Sequence, residues 1–327
     1  MSKIEPSARD QAALRTSGDE PEISIIMACY NAAEYLDEAV QSALAQASIS
    51  LEVLVIDDHS SDQSMQLAQE WARRDPRVRV FQTAQNSGPG GARNVGIEHM
   101  RGRWYAMLDC DDAFEPERCR RLVDAAESWG ADMIADDLRV FGDEIETCRH
   151  LGDTFRPQSD TISLEAYFAG TVMFSSEPNL GFLKPIIRRD ALSSERYRTD
   201  LRIGEDDELV IRLLLGGAHY AYFPKPLYRY RKHDASISHR LSAKNSALMV
   251  QSEKDIRAKV QAAGKASNAY DARYASILDA AAFSRSIDAL KAKRFAAALG
   301  AIIERPSALR HFAMPIAARW RRLTGNA

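Results

Sequence analysis

Hydrophobic positions in the first third of the chain switch repeatedly between two spacings. Ile23-Ser24-Ile25-Ile26-Met27-Ala28 is a short, almost unbroken apolar run, the pattern of a strand buried on both faces. Tyr35, Leu36, Ala39, Val40, Ala43 and Leu44 then recur at helical spacing and predict an amphipathic helix. Leu51 to Ile56 reads as a second strand. Ser61 and Asp62 can cap a second helix with Met65, Ala68, Trp71 and Ala72 on its inner face. Val78 to Phe81 is a third strand, and a helix from about Ala92 to Met100 leads into a fourth, Trp104 to Leu108. After Pro116 the pattern predicts a helix to about Gly130 and a strand from Met133 to Ala135.

Residues 140–190 lose this periodicity and read as a variable loop region. Beyond Gly204 a helix buries Leu209, Val210, Leu213 and Leu214, and Ala221 to Phe223 resembles another strand. From about Leu241 to Ile303 the chain is Ala-rich and helical, broken near Gly264 and Asn268 into two or three helices. Residues 1–21 are polar and read as a disordered lead-in. Strands alternating with helices predict an α/β fold, a mostly parallel sheet flanked by helices, with a C-terminal α-helical extension. In such sheets ligands bind at the carboxyl ends of the strands. Asn31, Asp57, Asp58, Asn86 and Asp109 to Asp112 all fall just past predicted strand ends, so they converge on one edge.

That edge carries the chemistry. Three acids in Asp109-Cys110-Asp111-Asp112 have no packing rationale, because each would cost several kcal/mol if buried unpaired. They suit a hard divalent cation held through oxygen. Upstream, Ser87-Gly88-Pro89-Gly90-Gly91-Ala92-Arg93-Asn94 opens a helix, where free N–H groups and the dipole favour an anion. Arg93 adds a forked donor for a phosphate, or equally a counter-ion for one of the acids. Asp57 and Asp58 offer a carboxylate to the N3–H of a uracil ring, whereas Ser61 and Asp62 fit an ordinary Asx turn. Glu205-Asp206-Asp207-Glu208 exceeds what a helix dipole needs, and one of these acids suits a general base. His233, in the aromatic-basic run Tyr228 to His233, is a candidate to complete a metal shell or meet a phosphate; a plain surface histidine is the competing reading.

Composition narrows the classes. A formal charge of −3 over 327 residues argues against bulk nucleic-acid binding. Cys29, Cys110, Cys119 and Cys148 are scattered without C-x-x-C spacing, which points away from zinc or a disulfide framework and toward a reducing compartment. No apolar stretch approaches the roughly 20 residues of a membrane span, and the first twenty residues lack a signal-peptide core, so a cytoplasmic location is expected. From Arg305 to Ala327 there are five arginines and no acid, mixed with Phe312, Trp320 and Leu323. Such a tail suits peripheral contact with anionic lipid on the cytoplasmic membrane face, or a basic helix packed on the domain.

Taken together, Ser24 to Asn31, Glu52 to Asp58, Gly91-Ala92-Arg93-Asn94-Val95-Gly96, Leu108 to Asp112, Glu205-Asp206 and Tyr230-Arg231-Lys232-His233 with Ser236 stand in the order found in the family 2 glycosyltransferases. The chain resembles that family, with its GT-A fold, over roughly residues 22–240. The resemblance implies a nucleotide-sugar-binding half at 22–115, an acceptor and catalytic half at 116–240, and a helical extension at 241–327. It places Ala28, Tyr30, Asn31, Asp57, Asp58, Gly91, Arg93, Asn94, Asp109 and Cys110 around the nucleotide. Asp109, Asp111 and His233 would hold Mn²⁺ or Mg²⁺, and Asp206, flanked by Glu205 and Asp207, would be the base. The chain resembles bacterial succinoglycan-type exopolysaccharide transferases more than chitin or cellulose synthases, because it has no membrane-spanning run, and this implies inverting transfer of glucose from a UDP-sugar to a lipid-linked glycan. His59 departs from the family's usual glycine, which puts the turn after Asp58 in question, and Asp206-Asp207 leaves the base open by one position. A nucleotidyltransferase fits less well, because residues 86–96 contain no lysine. A non-catalytic nucleotide-sugar-binding subunit of an assembly complex is the remaining alternative.

Overall fold

Nine strands form one sheet in the computed structural model, which describes residues 20–142, 145–152, 160–175, 177–233 and 241–313. Four of them, β1 (Ile23–Cys29), β2 (Leu51–Asp57), β3 (Val78–Gln82) and β4 (Trp104–Met107), lie side by side and parallel in the order β3-β2-β1-β4. Their residues are almost continuously apolar because helices cover both faces, and all seven residues of β2 are buried. The chain steps outward from β1 to β3, then returns to the other side of β1 as β4. This reversal leaves a crevice at the carboxyl ends of β1, β2 and β4, the usual ligand position of such sheets.

Past β4 the sheet continues through β8 (Ile186–Arg188), β6 (Met133–Gly142), β9 (Tyr220–Arg231) and β5 (Ala113–Phe114), with β7 (Ile145–Arg149) paired to β6. β8 runs against both β4 and β6, whereas β6 and β9 are parallel to each other. The expected loop region at 140–190 is therefore corrected: it holds the end of β6, β7, a helix at Leu164–Ala169 and β8. Three-residue β8 is central, with Ile186 and Ile187 buried and Arg188 exposed, and far too short to show a period. The expected strand Ala221 to Phe223 is longer, and the aromatic-basic run as far as Arg231 is the end of β9.

The glycine-rich segment is also more regular than expected. The helix begins at Gly88 rather than near Ala92 and runs to His99, so the glycines form its first turn. A Cβ on Gly96 would fall 2.4 Å from Ile26 Cγ2, so this glycine lets the helix lie directly on β1. The C-terminal extension comprises helices Ala243–Ala262, Asn268–Lys291 and Phe295–Glu304. Ser242 and Ser267 cap the first two through the N–H groups of Asn245 and Tyr270, and Gly264 turns left-handed between them. Arg273 ties the second helix to the domain by donating to the Thr171 carbonyl at 3.2 Å, and Ser276 accepts from the Met173 N–H at 2.9 Å. Among the described residues no helix is long and apolar enough to cross a membrane, and the cysteines are free. Residues 1–19 of the expected lead-in, Ser236, and residues 314–327 of the basic tail lie outside the described residues.

Gly96→Ala should cost about 1–3 kcal/mol by overpacking against β1, read from the urea midpoint. Combining it with Ile26→Ala should cost less than the two single changes added together. Simple additivity would show that the close approach is not what the glycine serves.

Candidate functional site

The turn after β4 is held from β9. Tyr228 Oη accepts the Asp109 N–H at 3.2 Å and donates to Asp112 Oδ2 at 2.7 Å, while Asp112 Oδ1 takes the Arg231 N–H at 2.7 Å. Asp112 is thus a fastening of the turn; burial, then the neighbouring Asp111 and Asp109, push its carboxyl well above the usual range. The three acids part company here. Asp111 is one-third exposed and its Oδ2 lies 2.9 Å from His233 Nε2. Asp109 turns the other way.

There it joins a ring of charges. Arg93 Nη2 donates to Asp109 Oδ1 at 2.8 Å, and Arg93 Nη1 donates to Asp206 Oδ1 at 2.8 Å and Glu205 Oε1 at 2.9 Å. Lys184 Nζ closes the ring at 2.9 Å from Asp109 and 3.3 Å from Asp206. Burial works against each charge, but the opposed partners prevail. Lys184 and Arg93 are held above their ordinary values by Asp109 and Asp206, and Asp109 is held far below its own by Lys184 and Arg93. Two cations face three acids, and the excess falls on Glu205: burial and the adjacent Asp206 raise its carboxyl. Arg93, 4 % exposed and committed to three carboxylates, is a counter-ion, which is one of its two expected roles.

Lys184 was absent from the expected site because it sits in the aperiodic stretch. The one signal was a lysine inside the apolar run Leu183-Lys184-Pro185-Ile186-Ile187, where it needs a partner. Its backbone is fixed by Arg118, whose Nη2 donates to the Lys184 carbonyl at 2.6 Å. Arg118 and Asp136 form a fully buried ion pair at 2.8 Å, and the guanidinium also lies 5.1 Å from the Tyr228 ring centroid. The same buried arginine therefore supports both Lys184 and the tyrosine that fastens the acidic turn.

Around β2 the acids are arranged differently. Asp58 accepts from Thr83 Oγ1, the Ser87 N–H, Ser87 Oγ and the Gly88 N–H at 2.7–2.9 Å. The N–H groups expected to be free for an anion at this helix start are, at Ser87 and Gly88, already taken by Asp58. Asp57 Oδ2 accepts from Ser60 N–H and Gln82 Nε2, while its buried Oδ1 has no partner among the described residues. Asn31, left-handed at φ +50°, accepts the Ser61 N–H and binds the two turns together. His59 adopts φ +67°, the conformation glycine favours, so the turn after Asp58 is left-handed at the position where the family's glycine is expected. Tyr30 is half exposed at the edge. Cys110 is buried and directs its thiol to the Ala28 carbonyl at 3.4 Å. A Cβ on Gly91 would meet Ser87 Oγ at 2.5 Å. Asn94 is not turned to a ligand: its amide exchanges two hydrogen bonds of 2.9 Å with the backbone of Tyr197.

The two acids left open at the helix Glu205–Leu215 now separate. Asp206 faces the ring; Asp207 accepts from Tyr167 Oη at 2.7 Å and lies 3.5 Å from Arg273 of the C-terminal extension. The expectation of Asp109, Asp111 and His233 on one cation is not met. Among the described residues no three such groups are placed to hold a metal, because Asp109 is turned to Arg93 and Lys184. Asp111 with His233 remains a two-residue oxygen and imidazole set, a donor combination that fits Mn²⁺ when ligand oxygens complete the shell.

A sheet reversed about β1, with acids fastened at its carboxyl edge, is an α/β arrangement of the GT-A kind. The chain belongs to glycosyl transferase family 2, whose family model matches residues 24–189. It is 37 % identical over 308 residues to the succinoglycan biosynthesis protein ExoO of Rhizobium meliloti (strain 1021), covering 94 % of this chain and 88 % of that protein. In fold it is similar to S. aureus TarS 1-349 in complex with UDP-GlcNAc, with a TM-score of 0.56 at 18 % identity, over 85 % of this chain and 89 % of that one. It is also similar to the mannosyltransferase PcManGT of Pyrobaculum calidifontis in complex with GDP-Man and Mn²⁺, with a TM-score of 0.56 at 16 % identity, over 95 % and 86 % of the two chains.

Arg93→Met leaves buried Glu205 and the partly exposed Asp109 and Asp206 facing one lysine, and should destabilise the fold by up to about 3–5 kcal/mol in urea unfolding. Lys184→Met gives a pH test. Because the folded-state value of Lys184 is raised, its contribution is full below the unfolded lysine value of roughly 10.4 and declines as pH rises beyond it. The stability gap between wild type and Lys184→Met should therefore stay constant from about pH 6 to 10 and narrow above that. A gap that widens at high pH would contradict the ring.

Proposed function

We propose that this family 2 glycosyltransferase moves glucose from a UDP-sugar to a hydroxyl of a lipid-linked glycan in exopolysaccharide synthesis, with inversion. The observation that carries the reading is Asp206, brought from a distant helix to the acidic turn at the crevice through the cations it shares with Asp109. The name of the Rhizobium meliloti relative supports the polymer class, and the TarS complex supports a uridine diphosphate donor.

In this reading the uracil N3–H goes to the Asp57–Asp58 pair. Asp57 is favoured within it, since Oδ1 is unpartnered while Asp58 is engaged by four donors. Tyr30, exposed at the end of β1, is placed to cover the base. Asp109 orients the ribose. Asp111 and His233 would hold Mn²⁺ or Mg²⁺, which supplies positive charge to the departing diphosphate. Asp206 takes the proton from the acceptor hydroxyl, whose oxygen attacks the anomeric carbon on the face opposite the leaving UDP. The bond to the diphosphate breaks as the new bond forms, and an α-linked donor yields a β-glycoside. Arg93 and Lys184 hold Asp206 at the place where that proton must be received.

Asp206→Asn should lower transfer by roughly 10²–10⁴-fold with UDP affinity kept within severalfold, read by sugar incorporation into the lipid fraction and by calorimetry. Asp207→Asn should retain most of the transfer. Loss of donor binding in Asp206→Asn would place that residue in the donor site, and loss of transfer in Asp207→Asn alone would move the base one position.

A further inference from the structure

The helix Phe295–Glu304 is apolar nearly all round, a composition that ordinarily requires burial on every side. One side is buried: Ala298 and Ala301 lie against the helix Asn268–Lys291. The other is not. Phe295, Leu299 and Ile303, spaced by four, are 62–68 % exposed and form one stripe, extended by Leu309 just beyond the helix. They are among the most exposed large apolar side chains in the described residues, and they stand together.

Charge says what covers them. Lys291, Lys293 and Arg294 are exposed at the start of the helix; beyond its end Arg310 is exposed and paired with Asp279, and the helix's one acid, Glu304, is paired with Arg285. Residues 291–327 contain eight Lys and Arg against that single Glu, a formal +7 in a chain whose total is −3, so residues 1–290 carry −10. A cationic, apolar patch on an acidic protein suits a surface that is both negative and oily. A ten-residue helix is about 15 Å long, half a bilayer core, so it can lie in an interface but not span one.

We propose that the Phe295–Glu304 helix is a membrane-docking element, seating Phe295, Leu299 and Ile303 among the acyl chains of an anionic bilayer with the flanking lysines and arginines at the headgroups. The inference deepens the acceptor side of the proposed function, and rests on it only for its purpose: the docked helix would keep the enzyme where a lipid-linked glycan is.

The test is flotation of the full-length protein with vesicles of phosphatidylcholine alone or with about one-third phosphatidylglycerol, beside Leu299→Glu/Ile303→Glu. Both positions are exposed, so the fold should survive, and an unchanged UDP titration separates loss of docking from failure of the donor site. Wild type should float with the anionic vesicles, far less with neutral ones, and less at high salt; the double variant should lose at least about tenfold in partitioning. Wild type remaining in solution, or the variant floating equally, overturns the proposal. So does a wild-type dimer in light scattering that the variant abolishes without any vesicle binding, which would give the stripe to a second copy of the chain.

Discussion

Arg93 is the constraint on which the rest of the site depends. Its guanidinium reaches three carboxylates from two segments, Asp109 after β4 and Glu205-Asp206 at a helix start, and Lys184 closes the arrangement from a third. Buried ion pairs of this kind contribute little net stability, because desolvation offsets most of the attraction. Their effect is geometric: with Arg93 missing, Glu205 is left buried without its cation and Asp109 and Asp206 share one lysine, so the ring ties the four segments to one relative placement. A single carboxylate held by two cations gains a defined position, which a general base requires. The surplus acid is accommodated by Glu205, whose raised carboxyl lies on the buried side of the cluster.

A second buried pair stands behind the first. Arg118 and Asp136 are fully enclosed, and through the Lys184 carbonyl and the Tyr228 ring Arg118 reaches both the cation and the acidic turn. Asp136 also accepts the Leu227 N–H at 3.0 Å, which sets the path of β9 next to Tyr228. The carboxyl edge is thus braced from the half of the sheet built of β6, β8 and β9, not from the parallel half that provides the crevice. Asp207 extends the bracing outward, joining the helix Glu205–Leu215 to Arg273 and so to the C-terminal helices.

Much of this was legible in the amino-acid pattern, for identifiable reasons. β1, β2 and β4 are buried on both faces and stand out as apolar runs, and chain order alone placed Asp57, Asp58 and Asp109–Asp112 at one edge. The helical extension, broken near Gly264 and Asn268, was legible because its caps are local. What escaped was non-local. β8 is three residues long and owes its existence to neighbours on both sides, and Lys184 precedes it with no pattern of its own. The individual roles within acid clusters also escaped, since spacing cannot say that Asp112 faces Tyr228, Asp111 faces His233 and Asp109 faces Arg93. His59 is instructive in the opposite sense: an unexpected residue that takes the left-handed conformation glycine favours, which histidine tolerates.

In the proposed function the edge is a uridine diphosphate site whose cation Asp111 and His233 would hold while Asp109 stays with Arg93 and Lys184. Calorimetric titration of UDP into the protein, with and without Mn²⁺, tests this most directly. Binding should strengthen with Mn²⁺, and that metal-dependent gain should be lost in Asp111→Ala. Absence of UDP binding under both conditions, or a metal-dependent gain unchanged in Asp111→Ala, would contradict it.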